Sequence, residues 1–195
     1  MIPLAPLILA SSSRYRVELL SRLHLPFTQA SPDIDESPKR DEAAAVLAAR
    51  LATSKARAVA ALHPQAWVIG SDQVAACKGR LLGKPGTREV AIEQLQFMSR
   101  KTVTFITAVA LAHHDSGALH RDLDTTVVKF RKLTVEEIER YVAAEPSFDC
   151  AGSAKIEGLG ITLCAEVQSR DPTALIGLPL IATARLLRKA GYLLP

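Results

Sequence analysis

Short apolar runs alternate with segments of helical spacing along this chain, and the alternation predicts strands and helices in turn. Leu7 to Ala10 is typical of a short buried strand. The helix expected next is capped by Ser13, whose hydroxyl suits the acceptor role at a helix start. Its apolar face consists of residues three and four positions apart, namely Tyr15, Leu19, Leu20 and Leu23.

An alanine-rich helix is predicted over residues 41–62, after a short strand at 27–31. The apolar stripe of this helix runs through Leu47, Leu51, Ala58 and Leu62, and Lys55 occupies the position that continues it. A lysine there either extends its ammonium past the edge of the core or points into a cleft and meets an anion. We favour the second interpretation, because other cationic residues occur at candidate sites elsewhere in the chain.

Residues 67–85 contain the most unusual pattern. An apolar run typical of a strand buried on both faces is interrupted at residues 70–73, where Asp72 lies, and then resumes. A carboxylate inside such a run is costly unless a cation or several hydrogen bonds compensate it. Asp72 is therefore either a solvated residue at a strand end or half of an active-site pair with a lysine. Lys84, held between Gly83 and Pro85, is a candidate partner, and we favour the active-site pair.

The second half of the chain is predicted to contain hairpins and three more helices. A turn at Lys78-Gly79 returns the strand, Thr87 caps a helix reaching Met98, and residues 103–112 and 123–130 form a long hairpin. Thr134 and Glu137 form a capping box, residues 161–164 a short strand, and a last helix begins at Pro179 and ends at Gly191. The class is α/β with a mixed sheet.

Composition describes an ordinary globular protein of 195 residues, with 48% hydrophobic and 23% charged residues. We expect one domain over residues 1–195, without a membrane-spanning segment, because no apolar run approaches about 18 residues. The apolar start has no basic leader, so we interpret it as a strand rather than a signal peptide. Three cysteines among apolar neighbours suggest reduced thiols and a cytoplasmic location: Cys77, Cys150 and Cys164.

The net charge of +4 and a pI near 9.1 weakly favour an anionic partner. A nucleic acid is not expected, since basic residues are not clustered and aromatic residues amount to only 5%. Arg14 and Arg16 lie in the first turn of the first helix, where cations are unfavourable unless an anion docks. With the serines of residues 11–13 they form either a phosphate cradle or a solvated helix cap.

The acidic loop at residues 33–36 is either simply solvated or holds the divalent metal that phosphate chemistry requires.

Taken together, these motifs resemble the Maf family of nucleoside triphosphate pyrophosphatases, in the expected order and over nearly the whole chain. The resemblance rests on the run from Leu7 to Arg16, Asp35-Glu36, Lys55, Gly70-Ser71-Asp72, Gly83-Lys84-Pro85 and Gly177-Leu178-Pro179. It implies an elongated mixed sheet with flanking helices, as in Maf and inosine-triphosphatase-like proteins, and two lobes around a cleft. It also implies hydrolysis of a nucleoside triphosphate to the monophosphate and pyrophosphate, a divalent metal (Mg²⁺ or Mn²⁺) and a possible homodimer.

The resemblance also implies roles for single residues. Asp72 is the proton acceptor for the attacking water, although chemically it suits a metal ligand equally well. Glu36 fits the metal. The phosphates are assigned to Ser11, Ser13, Arg16, Lys55 and Lys84.

Within the family, Tyr15, Gln73 and Glu157 resemble the subgroup that hydrolyses 7-methyl-GTP. One carboxylate can accept both the N1–H and the 2-amino group of guanine, which suits Glu157. Tyr15 stands where that subgroup has Trp, and it either stacks on the cationic base or lies in the core. Thr173 replaces an Asn of the family's pattern, which puts a supporting loop contact in doubt. The alternatives are a dTTP/UTP pyrophosphatase and a non-catalytic nucleotide-binding regulator of septum formation.

Overall fold

The computed structural model describes residues 5–195, and it contains a mixed sheet flanked by helices. The first four residues, and the predictions that fall on them, lie outside the described residues. The strands are β1 (Leu7–Ala10), β2 (Thr28–Ala30), β3 (Trp67–Cys77), β4 (Arg80–Leu82), β5 (Thr102–His113), β6 (Ala118–Phe130) and β7 (Cys164–Gln168). The helices are α1 (Arg14–Ser21), α2 (Ala44–Leu62), α3 (Arg88–Met98), α4 (Val135–Ala144) and α5 (Leu180–Lys189).

The strand order is β2-β1-β3-β5-β6-β7, and β4 pairs with β3. Strand β1 runs parallel to β2 and β3, whereas the β3–β4 and β6–β7 pairs are antiparallel. This architecture confirms the predicted α/β class with a mixed sheet. In the part of the chain that the structure describes, no helix has the length and apolar character needed to cross a membrane.

The chain divides into two compact units, each described separately below. The first contains the described residues up to Asp72, together with Thr107–Asp124 and Asp171–Pro195, and the second contains Gln73–Ile106 and Thr125–Arg170. The prediction of a single domain with two lobes stays a prediction.

In the first unit, a fully buried core packs β1 and β3 against α1 and α5. Its largest members include Leu9, Leu19, Leu20, Ile69 and Leu178. Helix α2 packs closely against β3 at Gly70, where a Cβ atom would lie 2.2 Å from the carbonyl oxygen of Ala52. Only glycine allows this approach, and it lies two residues before Asp72 on the same strand.

Helix α2 ends at Leu62 as predicted, but it begins later than predicted and its buried stripe ends earlier. It begins at Ala44 rather than at residue 41, where Asp41 has a positive φ of 56°. The predicted stripe is right at Leu47, Leu51 and Lys55, which are buried, but wrong at Leu62, whose exposed fraction is 76%. Steps of four residues advance by more than one turn of 3.6 residues, so a long stripe drifts away from the buried face.

In the second unit, the predicted turn and helix caps are confirmed. Lys78 and Gly79 both have positive φ angles, 50° and 80°, as a two-residue hairpin turn requires. Thr87 caps α3, and Thr134 with Glu137 forms the capping box of α4. In the first unit, Pro179 precedes α5 as its N-cap.

The strand predicted at residues 161–164 is wrong. A 3-10 helix spans Leu159–Leu163, and β7 begins only at Cys164. The chain turns tightly at Gly160, inside this 3-10 helix, where a Cβ atom would lie 2.4 Å from the carbonyl oxygen of Lys155. The apolar composition of the segment predicted a strand, whereas this turn allows one only from Cys164 onward.

Candidate active site

A buried lysine between two carboxylates lies in the first unit. The Nζ atom of Lys55 on α2 lies 2.7 Å from Oδ1 of Asp72 on β3 and 3.0 Å from Oε2 of Glu36. Lys55 and Asp72 are only 5% and 7% exposed. The ammonium therefore does not extend past the edge of the core, and the Asp72 side chain is not solvated. Glu36 is more exposed, with a side-chain exposed fraction of 57%, and it stays a partner of Lys55 when Asp72 is removed. Removal of Lys55 would instead leave the buried Asp72 carboxylate without this cation.

Arg16 lies in the first turn of α1, and both of its guanidinium hydrogen bonds go to uncharged oxygens. Its Nε donates to the carbonyl oxygen of Gly177 over 2.9 Å, and its Nη1 donates to Oγ of Ser11 over 3.3 Å. Burial lowers the pKa of Arg16, whereas the charges of Asp72 and Glu36 raise it. The group is therefore held in place by the protein while its positive charge remains available to an anion.

The two serines predicted to bind phosphate already have donors within the protein. Ser13 caps α1 by accepting a hydrogen bond from the backbone N–H of Arg16 over 3.5 Å. The hydroxyl of Ser11 accepts from the backbone N–H of Ser13 over 3.1 Å as well as from Arg16. The expected cradle of free backbone N–H groups is therefore partly occupied by the serines themselves.

The loop that supplies the Gly177 carbonyl is fixed by Asp171 and Thr173. The hydroxyl of Thr173 lies 2.6 Å from Oδ1 of Asp171 and accepts from the backbone N–H of Leu180, while Asp171 Oδ2 accepts from the N–H of Ile181. The substitution of Thr for the family's Asn therefore leaves a supporting contact in place. Ser71 adds a hydrogen bond from its hydroxyl to the Gly177 carbonyl over 3.0 Å.

We expect Arg16→Ala to lower the free energy of unfolding of the nucleotide-free protein by about 1.5–3 kcal/mol, the range for lost hydrogen bonds to a charged group. The helix dipole alone would produce the opposite effect, a small gain in stability, because the positive N-terminal end of α1 disfavours a cation. Urea unfolding measures the difference. Arg14→Ala is the matched control and should change stability by less than about 0.5 kcal/mol, since Arg14 is exposed. An unchanged Arg16→Ala variant would mean that the bonds to Gly177 and Ser11 do not stabilise the fold.

Tyr15 is half-buried and does not belong to the hydrophobic core of the first unit. The guanidinium of Arg14 lies 4.9 Å from the centre of its ring, and Arg14 Nη2 donates to the Tyr15 hydroxyl over 2.9 Å. The core placement considered from the sequence is therefore wrong. The ring already contacts one cation, which is the type of partner that a methylated purine would provide.

In the second unit, exposed Lys84 lies in a loop that is attached to the protein on both sides. The carbonyl oxygen of Gly83 accepts hydrogen bonds from Gln94 Nε2 over 3.2 Å and from the N–H of Gly152 over 3.4 Å. The N–H of Gly86 donates to the carbonyl oxygen of Phe148 over 3.1 Å. The loop backbone is fixed, whereas the lysine side chain stays exposed to solvent.

Glu157 also lies in the second unit, exposed in the segment after the 3-10 turn Ala151–Ser153. Although the residue is exposed overall, neighbouring protein atoms reduce the hydration of its carboxylate and raise its pKa. Glu145 and Asp149 add to this effect, while a backbone hydrogen bond and Lys155 oppose it. Gln73, the other residue predicted to set specificity there, is half-buried on β3. The structure thus brings together Ser11, Ser13, Arg16, Glu36, Lys55 and Asp72 in the first unit, and places Gln73, Lys84 and Glu157 in the second.

The donor set in the first unit is compatible with a divalent metal. The carboxylates of Glu36 and Asp72 converge on one cation, the Lys55 ammonium, and carboxylate oxygens are the ligands that Mg²⁺ and Mn²⁺ prefer. Within residues 5–195, no group of three or more His, Cys, Asp or Glu side chains is arranged to hold a metal. Two carboxylates suit an ion that takes its remaining ligands from water and substrate phosphates.

Sequence reasoning missed Gln94, Ser153 and Tyr141, which hold the Lys84 loop and the Glu157 segment through hydrogen bonds. A signal was present at Gln94, because it lies on the same helix face as buried Ala91, Leu95 and Met98. A polar residue at such a position needs a partner.

Comparison with known proteins places these residues in a family. The family model described as Maf-like protein matches residues 6–190. A protein of Xanthomonas campestris pv. campestris (strain 8004) is 59% identical over 97% of this chain and 98% of its own length. A protein of Aromatoleum aromaticum is 56% identical over 97% of both chains, and one of Polaromonas sp. is 56% identical over 97% of this chain and 86% of its own length. All three relatives are named 7-methyl-GTP pyrophosphatase.

Proposed function

This chain belongs to the Maf family, and we propose that it is a nucleoside triphosphate pyrophosphatase that acts on 7-methyl-GTP. The reaction cleaves the bond between the α- and β-phosphates with water and releases 7-methyl-GMP and pyrophosphate. The observation that carries the proposal is the buried Lys55–Asp72 pair, which also contacts the more exposed Glu36 and lies near Arg16, in a chain 59% identical to a relative with that name.

Asp72 is the proposed acceptor of a proton from the attacking water. Its Oδ1 is bound by Lys55, so the carboxylate is held in one orientation while a proton is transferred. Such a positioned base typically contributes about 10²–10⁴-fold to the rate. The leaving pyrophosphate carries negative charge, which the nearby cations stabilise as it develops.

Three cations and two hydroxyl groups are the proposed phosphate-binding groups, and each unit is considered by itself. Arg16 and Lys55 supply charge in the first unit, together with the hydroxyls of Ser11 and Ser13, and Lys84 supplies it in the second. A triphosphate that approaches Lys55 competes with two carboxylates for the ammonium. We therefore expect substrate binding to rearrange this cluster rather than simply to fill it.

Glu36 is the residue proposed to hold Mg²⁺ or Mn²⁺, and Asp72 would join it only in the alternative in which Asp72 is a metal ligand rather than the proton acceptor. When bound, a divalent ion neutralises phosphate charge and lowers the pKa of a coordinated water. Lys55, which lies against both carboxylates, then retains its role as a phosphate-binding cation.

Base recognition is assigned to Glu157, with Gln73 and Tyr15 as further specificity residues. The Glu157 carboxylate matches the two adjacent donors of guanine, and its negative charge favours a purine made cationic by methylation. Tyr15 offers an aromatic face, which the base would share with Arg14 or take from it.

The cytoplasm is the proposed location, because all three cysteines are free thiols, which suits a reducing compartment. A homodimer is proposed on the family resemblance alone, and size-exclusion chromatography with light scattering tests it.

Pyrophosphate release from a panel of nucleotides tests the function directly. The purified protein is incubated with 7-methyl-GTP, GTP, UTP and dTTP, each with Mg²⁺ or Mn²⁺. We expect the highest kcat/KM with 7-methyl-GTP. Measurable nucleotide binding without pyrophosphate release from any member of the panel would replace the enzyme with a nucleotide-binding protein, whereas a preference for UTP or dTTP would overturn only the substrate.

A further inference from the structure

We propose that Gln94 is a positioning residue that attaches both the Lys84 loop and the Glu157 segment to helix α3, so that one side chain sets the placement of a phosphate-binding and a base-binding group. The inference rests on the roles proposed above for Lys84 and Glu157. All of its contacts lie within the second unit.

The side chain of Gln94 uses both ends of its amide. Its Nε2 donates to the carbonyl oxygen of Gly83 over 3.2 Å, and its Oε1 accepts from the hydroxyl of Ser153 over 2.7 Å. The orientation of the amide follows from chemistry, because a carbonyl oxygen can only accept a hydrogen bond. Gln94 and Ser153 are 8% and 1% exposed, so water does not readily replace either contact.

The contact with Gly83 fixes the loop that carries Lys84. Gly83 is the residue immediately before the lysine, and its carbonyl oxygen receives a second hydrogen bond from the N–H of Gly152. Helix α3 is thereby linked to the Lys84 backbone through a single side chain. A lysine is a flexible cation, so the position of its backbone decides which phosphate oxygens it reaches.

The contact with Ser153 fixes the start of the segment that leads to Glu157. Ser153 has a φ of 57°, a left-handed conformation that is unfavourable for a residue other than glycine. Gly152 also has a left-handed backbone conformation, with a φ of 74°, so the chain turns sharply at these two residues. The hydrogen bond to Gln94 compensates the strained conformation at Ser153 and sets the direction in which the following residues leave the turn.

A chain of buried hydroxyl groups continues this support. The N–H of Lys155 donates to the Tyr141 hydroxyl over 3.0 Å, and that hydroxyl lies 2.9 Å from Oγ of Ser147. Ser147 donates to the carbonyl oxygen of Glu145 over 3.1 Å, so Tyr141 must be the donor in its contact with Ser147. Every hydroxyl in the chain donates and accepts once, which leaves the Glu157 segment with one favoured placement.

An apolar side chain would fill the position of Gln94 if packing were its only role. Ala91, Leu95 and Met98 show that the rest of this helix face is apolar. A buried amide is tolerated only when its hydrogen bonds are satisfied, and here both are directed to segments that carry proposed substrate contacts. This pairing distinguishes Gln94 from a polar residue that stabilises its own helix.

Amide hydrogen exchange tests the attachment without substrate. We compare the wild type with Gln94→Met, which removes both contacts, and Ser153→Ala, which removes one. The exposed neighbour variant Gln96→Met is the matched control on the same helix. Gln94→Met should accelerate exchange at both Gly86 and Lys155 by about two- to tenfold, the effect of one lost hydrogen bond. Ser153→Ala should accelerate exchange at Lys155 and leave Gly86 unchanged.

Steady-state kinetics with 7-methyl-GTP and UTP then test the function of the attachment. Ser153→Ala should reduce the preference for 7-methyl-GTP by about two- to tenfold, with little change in kcat for UTP. Gln94→Met should reduce the preference equally and also lower kcat/KM for both nucleotides. In the Glu157→Gln background, Ser153→Ala should cause no further loss of preference, because it acts through Glu157.

Two results would overturn the inference. One is unchanged exchange at Lys155 or Gly86 in Gln94→Met. The other is a lowered melting temperature with an unchanged substrate preference in an active enzyme, which would make Gln94 structural only. A wild type inactive towards every nucleotide is a separate failure, that of the proposed function, and the exchange data then decide whether Gln94 attaches the two segments.

Discussion

Replacing Asp72 with asparagine is expected to lower kcat for 7-methyl-GTP by at least about a hundredfold, the usual range for a lost general base. The amide keeps the size of the side chain and can still accept a hydrogen bond from Lys55, but it cannot accept the proton of the attacking water. Arg16, Lys84 and most other phosphate contacts remain. Pyrophosphate release measures the rate, and binding of a non-hydrolysable α,β-methylene analogue should change much less than the rate.

Stability decides how the Asp72→Asn result is interpreted. Lys55 keeps Glu36 as a partner at 3.0 Å, so the buried ammonium is not left without a carboxylate. A circular dichroism melt should therefore show a folded protein. Asp115→Asn, in an exposed turn, is the matched control and should affect neither rate nor melting. Normal turnover by Asp72→Asn would show that the carboxylate serves only the ion pair with Lys55.

Two buried polar residues carry the same signal in the sequence, an interruption of an apolar helix face. Lys55 and Gln94 each interrupt an apolar helix face, and each has specific partners in the fold. Lys55 is favoured as a site residue because Arg16 and Lys84 supply further cations at candidate sites, whereas the stripe alone suits a lysine that extends past the core edge. Gln94 was overlooked because glutamine is common on helix surfaces, and periodicity alone does not say which of several polar residues faces the core.

Contacts between distant parts of the chain set the limit of sequence reasoning for the site. Residues 16 and 177 meet through a backbone carbonyl, which every residue possesses and which leaves no mark in the sequence. The wrong prediction of a strand at residues 161–164 has a similar origin. Apolar composition favours a strand there, but the tight turn at Gly160 decides where β7 begins.

Glu157→Gln is expected to shift the substrate preference from 7-methyl-GTP towards UTP. The glutamate accepts two guanine donors, whereas the glutamine amide accepts one N–H and presents its NH₂ group to the other. A badly paired donor costs about 1–3 kcal/mol, which corresponds to roughly five- to 150-fold in kcat/KM. Uracil offers a donor between two acceptors, so the amide pairs with it better than the carboxylate does.

The charge of Glu157 contributes a second part of the effect, and a matched pair of nucleotides separates it from hydrogen bonding. GTP and 7-methyl-GTP share the N1–H and 2-amino donors, but only the methylated base is cationic. Loss of pairing lowers kcat/KM for both, whereas loss of charge lowers it more for 7-methyl-GTP.

Glu145→Gln is the control, because Glu145 is a neighbouring carboxylate whose Oε2 accepts from the N–H of Gly160 and is not assigned to the base. Glu157→Gln with the wild-type ranking of all three nucleotides would show that Glu157 does not read the base. A base site shaped for a purine would still fit uracil poorly, so kcat/KM for UTP should rise only in part. The expected change is therefore a partial switch of preference rather than a full reversal.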